Sequence, residues 1–313
     1  MVENKQQWKA WLYLSPAIIL LLVFTVWPII NTVLMAFQEG YSANDAKGGE
    51  TFSIGLGNFA TILSTGRLWK PLQNTTILCV ATVPISTLLA LLIAVALNSI
   101  KPLQRTLQTI FFLPYVTNSI AIGMVFATMF NVIGRDPVTG AAQSWGIINN
   151  VIMFFGGKPV LWVSEGSQYW ENMIVMIIYI VWNALPFKIL ILLGGLQSVN
   201  KQYYEAARVD GTSRTRVFTR ITVPLLSPMI AYVVITGFIG GFKEYSSIVG
   251  VFGDTMAPPA GRRGTLNTMV GMVYDSLGQT KHGEASAAAL ILFGIILVVT
   301  MINLQVSKKR VHY

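Results

Sequence analysis

Residues 11–37 read WLYLSPAIILLLVFTVWPIINTVLMAF, a run with no formal charge. A helix that crosses a bilayer needs about 20 predominantly apolar residues, and this run is longer. Lys5 and Lys9 precede it, as basic residues precede the apolar core of a signal peptide. The stretch is too long for that, and no small-residue cleavage site follows, so it reads as an uncleaved first span. Five further runs qualify: Asn74–Leu97, Phe111–Ile133, Asn172–Leu196, Pro228–Val249 and Ala285–Leu304. The six contain three formal charges, Lys188, Lys243 and Glu244. Lipid offers the backbone no hydrogen bonds, which forces helix, and the runs lack the alternation of a barrel strand.

Composition agrees. The 313 residues are 53% hydrophobic and 11% charged, whereas a soluble chain carries about 25% charged residues. A soluble globule and intrinsic disorder are both excluded. A single cysteine, Cys79, leaves no disulfide framework. Two histidines, His282 and His312, leave little for zinc chemistry, and Cys79 reads as a packing residue.

The net charge of +9 records topology. With the N-terminus inside, the inner segments hold twelve basic residues: Lys5, Lys9, Lys101, Arg105, Lys201, Arg208, Arg214, Arg216, Arg220, Lys308, Lys309 and Arg310. Three acids, Glu3, Glu205 and Asp210, accompany them. The outer loops hold eight basic and nine acidic residues. The positive-inside bias therefore puts both termini in the cytoplasm, with Trp8, Trp11 and Tyr13 as an interfacial belt. The basic charge needs no nucleic acid. Outer loops Gln38–Gln73, Gly134–Glu171 and Gly250–Glu284 are long enough to meet an external partner or to serve as connectors.

The inner loop Gln197–Ser227 is polar and reads as ordered. Asn200 is a candidate N-cap for a helix over Lys201–Val209. Asp210-Gly211 is a stop-and-turn signal, and Ser213–Ile221 can form a second short helix carrying Arg214, Arg216 and Arg220. Such a knob can dock into a cytosolic partner. The same arginines would equally hold an interfacial helix on anionic lipid.

Glu205-Ala206-Ala207, then Gly211, Ile221 and Val223-Pro224, resemble the EAA loop of ATP-binding-cassette (ABC) importer permeases, EAA-x3-G-x9-I-x-L-P. Val223 stands for the usual Leu, Asn200 where Pro is common, and Thr212 where Ala is common. The resemblance runs along most of the chain, to permeases of the maltose and multiple-sugar kind. It rests on Leu14-Ser15-Pro16 with Trp27-Pro28, Gly55-Leu56-Gly57-Asn58-Phe59, Trp69, Asn74-Thr75, Pro114, Gly146, Asn149, Trp182 to Pro186, and Gly195-Leu196-Gln197. The segment Gly253–Gly264, with Pro258, Pro259, Arg262 and Arg263, departs from the short T-x-G-G-P turn of many relatives.

The resemblance implies an all-α integral membrane protein with six transmembrane helices and the type I ABC importer permease fold. It implies one permease domain over 1–313, with a coupling loop at 197–227, in a bacterial plasma membrane. The implied assembly contains a second homologous permease, two cytosolic ATPases and an external or periplasmic solute-binding protein. Glu205, Ala206, Ala207, Asp210, Gly211, Ile221 and Pro224 would couple this chain to an ATPase. ATP and Mg would be held by the ATPase subunits, with no cofactor, metal or catalytic residue in this chain. Independently, the sequence has no G-x-x-x-x-G-K-[ST], and Gly156-Gly157-Lys158 reads as a turn.

The same resemblance aligns the solute path with Ile180, Asn183, Ala184, Phe187, Gly237, Gly240, Gly241 and Glu244. Helical rise supports the placement. Asn183 and Phe187 stand about 20 and 14 Å above the inner end of their span, and Gly237, Gly241 and Glu244 about 14, 20 and 24 Å. Hydroxyl-pairing polar groups and an aromatic face suit a sugar, with glycines giving room. The glycines also suit close helix packing. Glu244 is an intramembrane carboxylate, which is costly and commonly functional. Lys188, about 12 Å from the inner end, is expected to snorkel to cytoplasmic water. The expected function is ATP-coupled import of a carbohydrate, an oligosaccharide first, with a polyol or glycerol-phosphate solute as the alternative; a phosphorylated solute would favour basic residues lining the path, which Lys188 and Lys243 would supply. An ion-coupled secondary transporter would favour several intramembrane carboxylates or a repeated half. An intramembrane enzyme would favour an H-E-x-x-H pair, which is not found.

Overall fold

The computed structural model describes residues 7–48, 51–100, 106, 109–110, 113, 115–135 and 139–310. Glu3, Lys5, Lys101, Arg105, Pro114, His312 and the expected start of the third span lie outside them. The described elements are helices α1 Trp8–Phe37, α2 Ala43–Lys47, α3 Gly57–Ser64, α4 Trp69–Ser99 and α5 Ser119–Phe130, then strands β1 Val132–Arg135 and β2 Ala142–Trp145. Helices α6 Ile147–Phe154, α7 Tyr169–Ser198, α8 Lys201–Val209, α9 Arg214–Leu225, α10 Ser227–Phe242, α11 Ser246–Phe252, α12 Met269–Gly278 and α13 His282–Arg310 follow. Among the described residues, α1, α4, α7 and α13 are long and apolar enough to cross a membrane, and α9 with α10 forms a fifth candidate bent by 67°.

Contacts gather into two compact units, one holding the chain up to Leu68 with Met272–Phe293, the other Trp69–Gly271 with the chain from Gly294 onward. In the first, α1 contains a π turn over Leu22–Val26, just before Pro28. A proline in a helix interior removes a backbone donor and crowds the preceding turn, and a π turn is one way to absorb that. None of the apolar window of α1 is buried within the chain, so this surface is left for lipid or another subunit. Asn58 closes the end of α1: its Nδ2 donates to the carbonyls of Ala36 at 3.0 Å and Gln38 at 2.8 Å. Carbonyls at a helix C-terminus lack intrahelical partners, and Asn58 supplies a donor to these two.

In the second unit α4 packs along α7, α10 packs on α4, and α5 packs on α11. One buried cluster joins Leu78, Phe126, Met176, Tyr179, Ile248 and Val251; another joins Ala90, Ala94, Leu192, Leu193, Leu226 and Val233. Asn74 is buried, donating to the carbonyls of Thr265 (3.0 Å) and Asn267 (2.8 Å) and accepting from Tyr169 Oη (2.8 Å).

Two expected spans end differently from their reading. The third does not continue as helix to Ile133, because Val132–Arg135 pairs antiparallel with Ala142–Trp145. Leu113, Tyr115 and Val116 are helical as well, but the chain breaks at Thr117-Asn118 and a new helix begins at Ser119, where Asn118 Oδ1 accepts from the amides of Ile120 and Ala121. The fifth does not run unbroken to Val249. Helix α10 stops at Phe242, and α11 starts at Ser246 with a new N-terminus.

Candidate functional site

The inner loop folds as a knob. Asn200 Oδ1 accepts from the amide of Gln202 at 3.0 Å and starts α8. The helix ends in a Schellman closure: Thr212 N–H donates to Ala207 at 2.9 Å, Gly211 N–H to Arg208 at 3.2 Å, and Gly211 has φ +64°. The second arm starts at Arg214, as the spacing predicts, but continues through a π turn over Phe218–Thr222 into Leu225. Tyr204 Oη and Thr222 Oγ1, 3.4 Å apart, join the arms. Glu205, Ala206, Asp210 and Gly211 are exposed, Ala207 is buried, and Ile221 and Pro224 are half-buried. The knob thus presents its acidic and small residues outward and anchors through Ala207.

A cavity of about 270 Å³ lies between α4, α7 and α10. All eight residues aligned with a solute path, Ile180, Asn183, Ala184, Phe187, Gly237, Gly240, Gly241 and Glu244, line it. The glycines divide in role. A β-carbon on Gly241 would stand 2.7 Å from Cys79 Sγ, so that glycine serves packing, whereas one on Gly240 would meet nothing within 4 Å. Glu244 is partly committed to the backbone: Oε1 accepts from the amides of Tyr245 and Ser247, each at 3.2 Å, where α11 begins.

The wall also has features beyond those eight positions. Tyr115 stacks on Phe187 with ring centroids 5.8 Å apart and planes 19° apart. Thr82, Ser86 and Thr236 add hydroxyls to the wall. Lys188 does not snorkel. It is buried, lines the cavity, and reaches across to α4, donating to Val83 O (3.2 Å), Ser86 Oγ (2.7 Å) and Thr87 Oγ1 (2.9 Å). Its acceptors lie about a hundred positions earlier in the chain, out of reach of a local reading of depth. Gly156-Gly157 is a helix C-cap, its amides donating to Met153 and Ile152 at the end of α6.

The sequence over residues 82–313 matches the model of the family described as binding-protein-dependent transport system inner membrane component. The chain belongs to that family. It is thus a membrane-spanning component of a binding-protein-dependent ABC importer. It is similar to the arabinooligosaccharides transport system permease protein of Halalkalibacterium halodurans, 29% identical over 97% of this chain and 89% of the relative. It is also similar to the lactose transport system permease protein of Rhizobium radiobacter, 28% identical over 94% and 91%. The sn-glycerol-3-phosphate transport system permease protein of Agrobacterium fabrum is 29% identical over 97% and 96%. Its fold matches a chain of a bacterial ABC transporter involved in the import of the acidic polysaccharide alginate, with TM-score 0.76 and 22% identity over 97% of this chain and 96% of that one. The type I importer permease architecture is therefore the fold of this chain.

Proposed function

We propose that this chain is the permease subunit through which a carbohydrate, an oligosaccharide first, enters the cell in an ATP-driven importer. The observation that carries the reading is the EAA knob, closed at Gly211 with Glu205 exposed, on the same unit as a cavity lined by all eight path positions. The stacked Tyr115–Phe187 pair offers a sugar ring an apolar face, and Asn183, Thr236 and Glu244 offer hydroxyl partners. The similarity to oligosaccharide and lactose permeases supports this solute class.

In this reading two cytosolic ATPases bind ATP and Mg, and one of them grips the knob formed by Lys201–Leu225. A second permease completes the path, and an external binding protein delivers the solute. Both termini are cytoplasmic, and the chain catalyses no reaction itself. A polyol or glycerol-phosphate solute is the second reading, favoured by the similarity to an sn-glycerol-3-phosphate permease. The test is reconstitution in liposomes with partner permease, ATPases and binding protein. Labelled sugar should accumulate only when ATP and the ATPases are present, and the chain alone should hydrolyse no ATP. Uptake driven by an ion gradient without the ATPases overturns the proposal.

A further inference from the structure

Lys188 carries a charge that the protein satisfies but does not neutralise. Its three protons are taken by neutral acceptors, one backbone carbonyl and two hydroxyls on α4. Among the described residues no carboxylate lies within 4 Å of its Nζ. Glu244 lines the same cavity, but a β-carbon on Gly237 would stand 3.2 Å from Lys188 Nζ, and Glu244 is seven residues beyond Gly237. Helix α10 ends at Phe242, about 8 Å beyond Gly237, and Glu244 lies past that end with its carboxylate turned to the amides of Tyr245 and Ser247. A buried cation facing a cavity within the membrane is costly and marks a solute or ion pathway. Hydrogen bonds to neutral groups leave the charge itself uncompensated, whereas an opposite charge in good geometry offsets part of that cost.

We infer that Lys188 selects a solute bearing an anionic group, a carboxylate, phosphate or sulfonate on a sugar or polyol. The anionic end faces Lys188 from the cavity, and the neutral hydroxyls face Asn183 and Glu244. The Ser86 and Thr87 hydroxyls hold the ammonium at the wall, so the group is positioned before solute arrives. Gly237 lets α10 pack closely on this ammonium, since a β-carbon there would stand 3.2 Å from both Nζ and Val83 Cγ1. This rests on the importer reading and narrows its solute class.

The test uses the complete importer in proteoliposomes, supplied with matched pairs: digalacturonate and its methyl ester, and sn-glycerol 3-phosphate and glycerol. The two pairs separate carboxylate from phosphate recognition. Uptake of one anionic member should exceed that of its neutral partner. Lys188→Met, compared at equal amounts of assembled complex, should lower that anionic-to-neutral ratio about tenfold or more, the scale of a lost attraction between buried opposite charges. Lys188→Arg should retain the preference. Faster uptake of the neutral members by the native importer overturns the inference and leaves the importer reading standing. An equal loss for both members of a pair in Lys188→Met also overturns it, assigning Lys188 to helix packing. ATP-dependent uptake of lactose with none of either anionic probe also overturns it, whereas absence of ATP-dependent uptake of every sugar and polyol, lactose included, counts against the importer reading itself.

Discussion

The amide of Thr212 donates to the carbonyl of Ala207 at 2.9 Å across the elbow at Gly211, so the end of α8 is closed by a bond that the left-handed backbone of Gly211 permits. A β-carbon at Gly211 would meet nothing within 4 Å. The cost of replacing it is therefore all backbone, about 1–2 kcal/mol for an L residue in this region. Gly211→Val should keep the chain in the membrane but reduce uptake and co-purification with the ATPases more than tenfold. Gly211→Asn, which tolerates the conformation, should retain most of both.

Glu205 is exposed on α8, with Tyr203 and Val209 also open to solvent. Exposed substitutions of this kind change stability by about 0.5 kcal/mol or less. Glu205→Lys should leave thermal unfolding of the purified chain unchanged while abolishing ATP-driven uptake. Normal uptake would show that the knob is a lipid-surface element.

Gly123 and Gly250 bring α5 and α11 into backbone contact. A β-carbon on Gly123 would stand 2.7 Å from Gly250 Cα and 2.8 Å from its carbonyl carbon, and neither can yield as a flexible side chain would. Overpacking of this kind costs about 1–3 kcal/mol or more. Gly123→Val should lower the unfolding midpoint in detergent clearly, while Gly240→Ala, at a glycine with open space, should not.

The legible part of the molecule was its long-range pattern. Hydropathy located α1, α4, α7 and α13 to within six residues at each end, because lipid imposes helix on any apolar run of that length. The knob was legible because Asn200, Asp210 and Gly211 act within a few residues of themselves. The break between α10 and α11 was hidden because an apolar window does not register that Glu244 turns back on two amides. The direction of Lys188 was hidden because it depends on hydroxyls of α4, and the partner of Phe187 because Tyr115 comes from a distant segment. The path positions, taken from resemblance, did converge on one cavity, but their neighbours Thr82, Ser86 and Thr236 needed the fold.

Glu244 has two roles that substitution can separate. Its Oε1 holds the first amides of α11, and its side chain also lines the cavity. Glu244→Gln keeps an acceptor oxygen, so unfolding should change little, while loss of the charge should alter which sugars are carried or weaken uptake. Glu244→Leu removes the acceptor as well and should cost about 1 kcal/mol in stability, the scale of a lost helix cap. Asn183 faces the same cavity from α7, so Asn183→Leu should raise KM for uptake several-fold with an unchanged unfolding midpoint. The knob lies roughly 20 Å away along the helices, so ATPase docking should survive in all three variants. Wild-type affinity and rate in both Glu244→Gln and Asn183→Leu would place the solute site on the partner permease and leave these residues to helix packing.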